Sequence, residues 1–208
     1  TQSRSSAASD VYKRQAYYTQ SSSIWKLIGP FNNNANLAAK FEPEMENFER
    51  AYQSSHQSVV GNTIIIRHWW NPMISSIAQN AKENTTWYAL QKIWSDDDMI
   101  KPFWIGFNNI SRSTATALPT DKTWDDKQSN VWVNGNKIAA PVWFNSKQKI
   151  HLETPLIDEG YEFRTPTYIN LKKGWNEVLI KLPVGSFKGK DWQNPVKWMF
   201  TFTTVNDK

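Results

Sequence analysis

Three places in the sequence set carboxylates close enough for acid–base chemistry: Asp96 with Asp98, Asp125 with Asp126, and Asp158 with Glu159. Glycoside cleavage uses such a pair, one carboxyl as acid and the other as base or nucleophile. All three pairs, however, fall in polar segments between apolar runs. There Asp favours turns, because its side chain bonds nearby backbone. The turn reading is therefore preferred for each. Asp96 and Asp98 are also the side chains that could join a structural calcium, a hard cation that takes carboxylate and carbonyl oxygens, although their spacing does not match an EF-hand loop. His56, His68 and His151 are far apart and share no ligand spacing. The sequence has no cysteine, no G-x-S-x-G elbow, no phosphate loop and no H-E-x-x-H. The chain alone reads as non-catalytic, with no cofactor expected beyond that calcium.

Tryptophan is the residue type in excess, with twelve in 208 residues. Pyranose CH faces stack on indole rings, so an aromatic-rich, strand-rich chain suits sugar handling. The alternative is that each Trp is a large core residue. Those in segments read as loops are the candidate carbohydrate-binding platforms: Trp69, Trp70, Trp124, Trp143 and Trp192. Arg112 and Arg164 are the candidate hydrogen-bond donors to sugar hydroxyls.

These residues need a scaffold, and the most explicit local signal for one is Asn134-Gly135 between two apolar runs. Asn-Gly favours a two-residue type I′ hairpin, which needs positive φ at both central positions. That turn pairs Val133 with Asn136, Trp132 with Lys137 and Val131 with Ile138, setting Val131, Val133 and Ile138 on the core face. Around it the sequence predicts strands over Ile24–Phe31 (ended by Gly29-Pro30), Thr63–Trp70, Thr85–Trp94, Pro102–Asn108, Thr165–Leu171, Trp175–Leu182 and Lys197–Val205. Ser95–Asp98 and Lys172–Gly174 are turns between neighbouring strands. One short helix is expected from Pro43 to about Gln53, with Met45, Phe48 and Tyr52 on one face and Glu46 four residues before Arg50. Seven to nine strands with regular turn signals predict a mainly β sandwich or jelly roll.

Thirty-nine per cent hydrophobic residues are enough for a core, and no apolar run approaches the length of a membrane span. Of the formal charge of +5, the first fifteen residues carry +2, from Arg4, Lys13 and Arg14 against Asp10. The rest is spread along the chain without a basic block, so nucleic acid is not implied. Zero cysteines exclude disulfides and thiolate metal sites. Residues 1–23 are polar and Ser- and Gln-rich, which predicts a disordered tail or linker before a domain at 24–208. Within that tail, Ser5 to Gln15 resembles translated sequencing-adaptor sequence and is expected not to be native.

An ordered series of segments carries a family resemblance: W-K-L-I-G-P-F (Trp25–Phe31), I-R-H-W-W (Ile66–Trp70), I-G-F-N-N-I-S-R-S (Ile105–Ser113) and W-D-D-K-Q-S-N-V-W-V-N-G (Trp124–Gly135). It continues with I-A-A-P-V-W (Ile138–Trp143), T-P-L-I-D-E-G-Y (Thr154–Tyr161), L-K-K-G-W-N-E-V-L-I-K-L-P (Leu171–Pro183) and V-K-W-M-F-T-F (Val196–Phe202). Over roughly residues 24–205 the chain resembles the C-terminal accessory domain of bacterial family-20 glycoside hydrolases, the β-N-acetylhexosaminidases common in Bacteroides relatives. The resemblance implies a galactose-binding-like jelly roll and a periplasmic, cell-surface or secreted parent enzyme acting on terminal N-acetylhexosamines. The partner it implies is the parent's catalytic barrel, with a glycan as a second ligand. The Asp-Glu pair of that family lies on the barrel, which this chain lacks. The resemblance thus carries over no catalytic residue, and two alternatives stay open: a purely structural domain that packs on or dimerises the barrel, and a stand-alone glycan-binding module.

Overall fold

The structure is a computed structural model that describes residues 23–55, 57–68, 77, 81–108, 117–148, 163–187 and 197–205. Its described strands run in chain order as β1 (Ile24–Asn32), β2 (Gln57–Val60), β3 (Thr63–His68), β4 (Thr85–Ser95), β5 (Met99–Asn108), β6 (Asn130–Val133), β7 (Asn136–Lys137), β8 (Thr167–Leu171), β9 (Gly174–Val184) and β10 (Lys197–Thr204). They form two antiparallel sheets, ordered β2-β1-β4-β9-β6-β7 and β3-β10-β5-β8. The protein is the mainly β sandwich that its alternating strands predict.

Alternation explains the core. On the neighbouring strands β10 and β5, Trp198, Phe200 and Phe202 lie beside Phe103, Ile105 and Phe107 on the inner face of the four-stranded sheet, and all six are buried. The opposing sheet supplies Trp25, Leu27, Val178, Ile180 and Leu182. Trp25 ties the layers together: its ring meets Phe200 and Phe202 edge-on at 5.0 and 5.5 Å, and its Nε1 donates to the Gly61 carbonyl at 3.1 Å. Edge-to-face contact suits the ring quadrupoles, and the bonded N–H avoids the cost of burying a bare donor.

The Asn-Gly hairpin forms as its turn chemistry requires. Asn134 and Gly135 take φ of 50° and 75°, Trp132 opposes Lys137, and Val133 opposes Asn136. Ile138 N–H donates to the Val131 carbonyl at 2.9 Å, extending the ladder by the expected third pair. Asn134 does more than make the turn. Its Oδ1 accepts from Glu177 N–H at 2.9 Å and its Nδ2 donates to Asn176 Oδ1 at 2.8 Å, locking the hairpin tip onto β9.

Two expectations change. The first strand does not end at Gly29-Pro30 but continues to Asn32 through a register shift between Ile28 and Phe31. Gly29 sits at φ +148°, a conformation that glycine alone adopts easily, so the strand bulges there and resumes. The single helix is two, α1 (Glu42–Met45) and α2 (Phe48–Ser54). Asn47 restarts it by accepting Glu49 N–H on its side chain at 2.8 Å, and Met45 is left exposed instead of lying on a face with Phe48 and Tyr52. The expected turns at Ser95–Asp98 and Lys172–Gly174 join strands of different sheets, since β4 and β9 lie in one layer and β5 and β8 in the other. The two crossings are adjacent: Asp98 Oδ1 accepts Lys173 N–H at 2.6 Å.

Helix α2 covers the outer face of the six-stranded sheet, where Phe48, Ala51 and Tyr52 pack with Tyr88 and Leu90. Under α1 lies a buried polar group. Glu44 pairs with Lys181 Nζ at 2.7 Å, both side chains almost fully buried, and accepts the Tyr88 hydroxyl. Lys181 also donates to the Ala39 carbonyl at 2.6 Å. The helices stop short of the end of this sheet, and the exposed functional groups gather there.

Candidate functional site

Strand β1 pairs with β4 only from Lys26 opposite Leu90, so the last residues of β4 have β9 as their ladder partner on one side and no β1 pairing on the other. The gap opens a cleft of about 800 Å³ at the corner of the sandwich. Because side chains alternate, β4 sends Gln91 and Ile93 toward the interior and Lys92 and Trp94 outward. Phe103 and Phe202 close the inner wall. On the outer rim Trp94 stands directly opposite Trp175 of β9.

This pair holds the most exposed of the described tryptophans. Trp94 is 54% exposed and Trp175 64%, while the other described tryptophans are buried or half-buried. The two rings meet edge-on at 5.3 Å and 74°, which leaves ring face open. Trp94 Nε1 donates to Asp96 Oδ1 at 2.9 Å, fixing the orientation of the indole. Beside them Lys92 pairs with Glu49 of α2, and its ammonium lies 4.9 Å from the Tyr52 ring centre. The Glu49 bond holds the Lys92 ammonium above its ordinary value, and the Lys92 bond holds the Glu49 carboxyl below its own. The rim therefore carries a fixed, mutually compensated charge pair. Inside, Gln91 is only 6% exposed, lines the cleft, and makes no side-chain hydrogen bond to a described residue. Its amide atoms are not sealed from solvent, so the amide is open to the cleft and available to a ligand.

The residues singled out from sequence are placed differently. Trp124 is buried in the main core, 5.8 Å edge-on from Phe107. Trp143 and Arg164 do come together: they share a β-bridge, and the guanidinium lies 5.3 Å from the Trp143 ring and 5.9 Å from Trp104. Both are buried, and Trp143 Nε1 donates to the Thr123 carbonyl at 2.8 Å. In this arrangement the stack anchors the loop before β6 and offers no open ring face. Trp69, Trp70, Trp192 and Arg112 lie outside the described residues, as do His56, His151, Asp158 and Glu159.

The described carboxylates act locally. Asp96 and Asp98 each accept a protein donor, and among the described residues no three acidic or imidazole side chains converge as a metal site would need. Asp125 is buried, accepts Lys127 N–H and Ser129 N–H at 3.0 Å each, and binds the Ser129 hydroxyl at 2.6 Å. Burial pushes its carboxyl up, and the Ser129 bonds oppose that rise. The local bonds fit the turn reading, but Asp125 is buried where a turn carboxylate is expected to be solvated.

Trp94, Trp175 and Gln91 were not among the residues singled out from sequence. A signal for Trp175 was present, since its alternation with Glu177 and Lys181 puts it on the polar face of β9. Nothing comparable marks Gln91, whose exposure depends on where β1 begins.

No family model matches the chain, and no curated protein matches it. One solved structure with a match is the β-glucosidase from Kluyveromyces marxianus in complex with glucose, at 11% identity and a TM-score of 0.35. The likeness covers 89% of this chain and 15% of that one, so the chain spans a small part of that protein's length. At such a score the likeness carries no argument about this chain.

Proposed function

We propose that the chain is a non-catalytic accessory domain of a glycoside hydrolase, of the β-N-acetylhexosaminidase kind its sequence resembles, and that it holds glycan on the Trp94–Trp175 rim. The parent enzyme, acting on terminal N-acetylhexosamines in the periplasm, at the cell surface or outside the cell, belongs to the same proposal. The supporting observation is the exposed indole pair at the mouth of the corner cleft. Leaving two large rings in water forgoes burial that each could gain, and each ring offers a sugar roughly 1 kcal/mol of stacking. The described cleft lining supplies amide, hydroxyl and ammonium groups with apolar walls. That chemistry suits holding a polyhydroxylated ring.

Titrating N-acetylglucosamine or chitobiose while following tryptophan fluorescence tests the reading. A saturable change is expected for the wild-type chain, lost or weakened about tenfold in Trp175→Ala, since each ring is worth roughly 1 kcal/mol or slightly more. Silence at millimolar sugar removes glycan binding. The chain alone is expected not to cleave nitrophenyl N-acetylglucosaminide; turnover surviving repurification overturns the non-catalytic assignment.

A second reading, that the domain serves to pack on a catalytic barrel, has its own support. Ile100 of β5 and Tyr168 of β8 are each 68% exposed and sit diagonally on the outer face of the four-stranded sheet. Adjacent exposed apolar side chains of this size suit a docking face.

A further inference from the structure

We propose that Gln91 is the polar contact of the corner cleft, and that the cleft takes an uncharged pyranoside which stacks on the Trp94–Trp175 rim and turns its hydroxyl edge inward to this amide. The inference rests on the glycan-binding reading and adds to it a specific residue and a ligand class.

Burial, bonding and charge in the cleft support it. Gln91 is 94% buried, yet its side chain makes no hydrogen bond to a described residue while lining the cavity. A primary amide carries two donors and an acceptor oxygen with two lone pairs. Open to the cleft and held by no described protein partner, those groups are available to a ligand's hydroxyls. A sugar hydroxyl is both donor and acceptor, so neighbouring hydroxyls on one ring edge match an amide in either orientation. The adjoining walls, Ile93, Phe103 and Phe202, are apolar and suit the CH faces of the same ring. The volume of about 800 Å³ falls in the range of small-ligand sites.

The ligand class follows from charge. Lys92 is the one charged side chain in the described lining, and Glu49 already compensates it. An anionic sugar would have to displace Glu49 from Lys92, and a cationic sugar finds no carboxylate in the described lining to meet it. Bringing either charge beside the buried amide incurs a desolvation cost with nothing to offset it. An uncharged ring incurs no such cost.

The test uses the whole chain and four probes at neutral pH: methyl β-glucopyranoside, N-acetylglucosamine, glucuronate and glucosamine, each followed by tryptophan fluorescence. One or both uncharged sugars are expected to bind at least tenfold more tightly than the two charged ones. Gln91→Leu, close in volume, is expected to weaken the uncharged sugars about tenfold while its thermal unfolding stays cooperative. Gln91→Glu is expected to shift relative preference toward glucosamine, a change that a merely structural role for Gln91 would not produce. If Trp175→Ala abolishes binding but Gln91→Leu and Gln91→Glu bind every probe like wild type, Gln91 is not the contact and the proposal fails while the glycan-binding reading stands. Tighter binding of glucuronate than of the neutral sugars overturns the ligand class. No response to any probe overturns both readings.

Discussion

Tyr88 shows how one buried group ties a helix to the sheet. It is fully buried, and its hydroxyl donates to Glu44, which also holds Lys181. Burial raises the pKa of the phenol far above its ordinary value, and the neighbouring Glu44 carboxylate raises it further. The raised value has a defined effect on stability. The folded state keeps the Tyr88 proton at a pH where the unfolded chain releases it, so the contribution is complete below about pH 10 and declines as pH rises beyond that. Tyr88→Phe is expected to cost about 1–2 kcal/mol at neutral pH through the lost bond to a charged acceptor. Above about pH 10 that gap should narrow by up to roughly 1.4 kcal/mol per pH unit and then reverse. Urea unfolding of both proteins between neutral and strongly alkaline pH measures this. A gap that stays constant with pH would show that Tyr88 titrates normally.

At the scale of elements, the bulge in β1 is the place where sequence and backbone constrain each other most tightly. Gly29 has φ +148°, and a Cβ there would sit 2.9 Å from Trp87 Cδ2 and 3.1 Å from the Thr86 carbonyl oxygen. Trp87 is a core residue and Thr86 is strand backbone, so neither can move aside cheaply. Gly29→Ala should therefore destabilise the fold by about 2–4 kcal/mol, combining an unfavourable φ with overpacking. Equilibrium denaturation checks the size; a loss below about 0.5 kcal/mol, ordinary for surface changes, would mean that β1 shifts freely. Which elements the sequence reveals follows from how local their causes are. The Asn134-Gly135 turn and the alternation of Phe103, Ile105 and Phe107 are written in adjacent residues, and both were legible. So was the Asn47 cap in principle, since Asn two residues before Glu49 is a helix-start signal inside a segment read as continuous. The sheet-to-sheet crossings at Asp98 and Lys173 were not legible, because a turn between two apolar strands looks the same whether it closes a hairpin or changes layer. For the same reason the exposed tryptophans are not the ones that the sequence pattern singles out. Trp124 and Trp143 follow turn residues yet are buried by distant contacts, whereas Trp94 and Trp175 end regular strands and are exposed because β1 and the helices stop short of them.

At the scale of the whole molecule, two exposed apolar surfaces flank the corner where both crossings lie. Trp94 and Trp175 mark the outer face of the six-stranded sheet, and Ile100 and Tyr168 mark that of the four-stranded sheet. Their surroundings differ. The tryptophans border a cleft lined by the Gln91 amide, which favours a small polar ligand, whereas the outward-facing Ile100 and Tyr168 suit flat contact with another protein surface. Exposed apolar side chains that lack their cover drive association in water. The isolated chain should therefore self-associate with rising concentration through the Ile100–Tyr168 face, and the double substitution Ile100→Ser, Tyr168→Ser should reduce that association. Because both side chains are largely in solvent, the cost in folding stability should stay within about 0.5 kcal/mol for each. Sedimentation velocity across a concentration series reads the outcome, with Trp175→Ala as the contrasting variant. If Trp175→Ala suppresses association and the double variant does not, the tryptophan rim is the docking face, and both surfaces must be reassigned. If the double variant alone sediments as a monomer, the two faces divide the work, one toward sugar and the other toward protein.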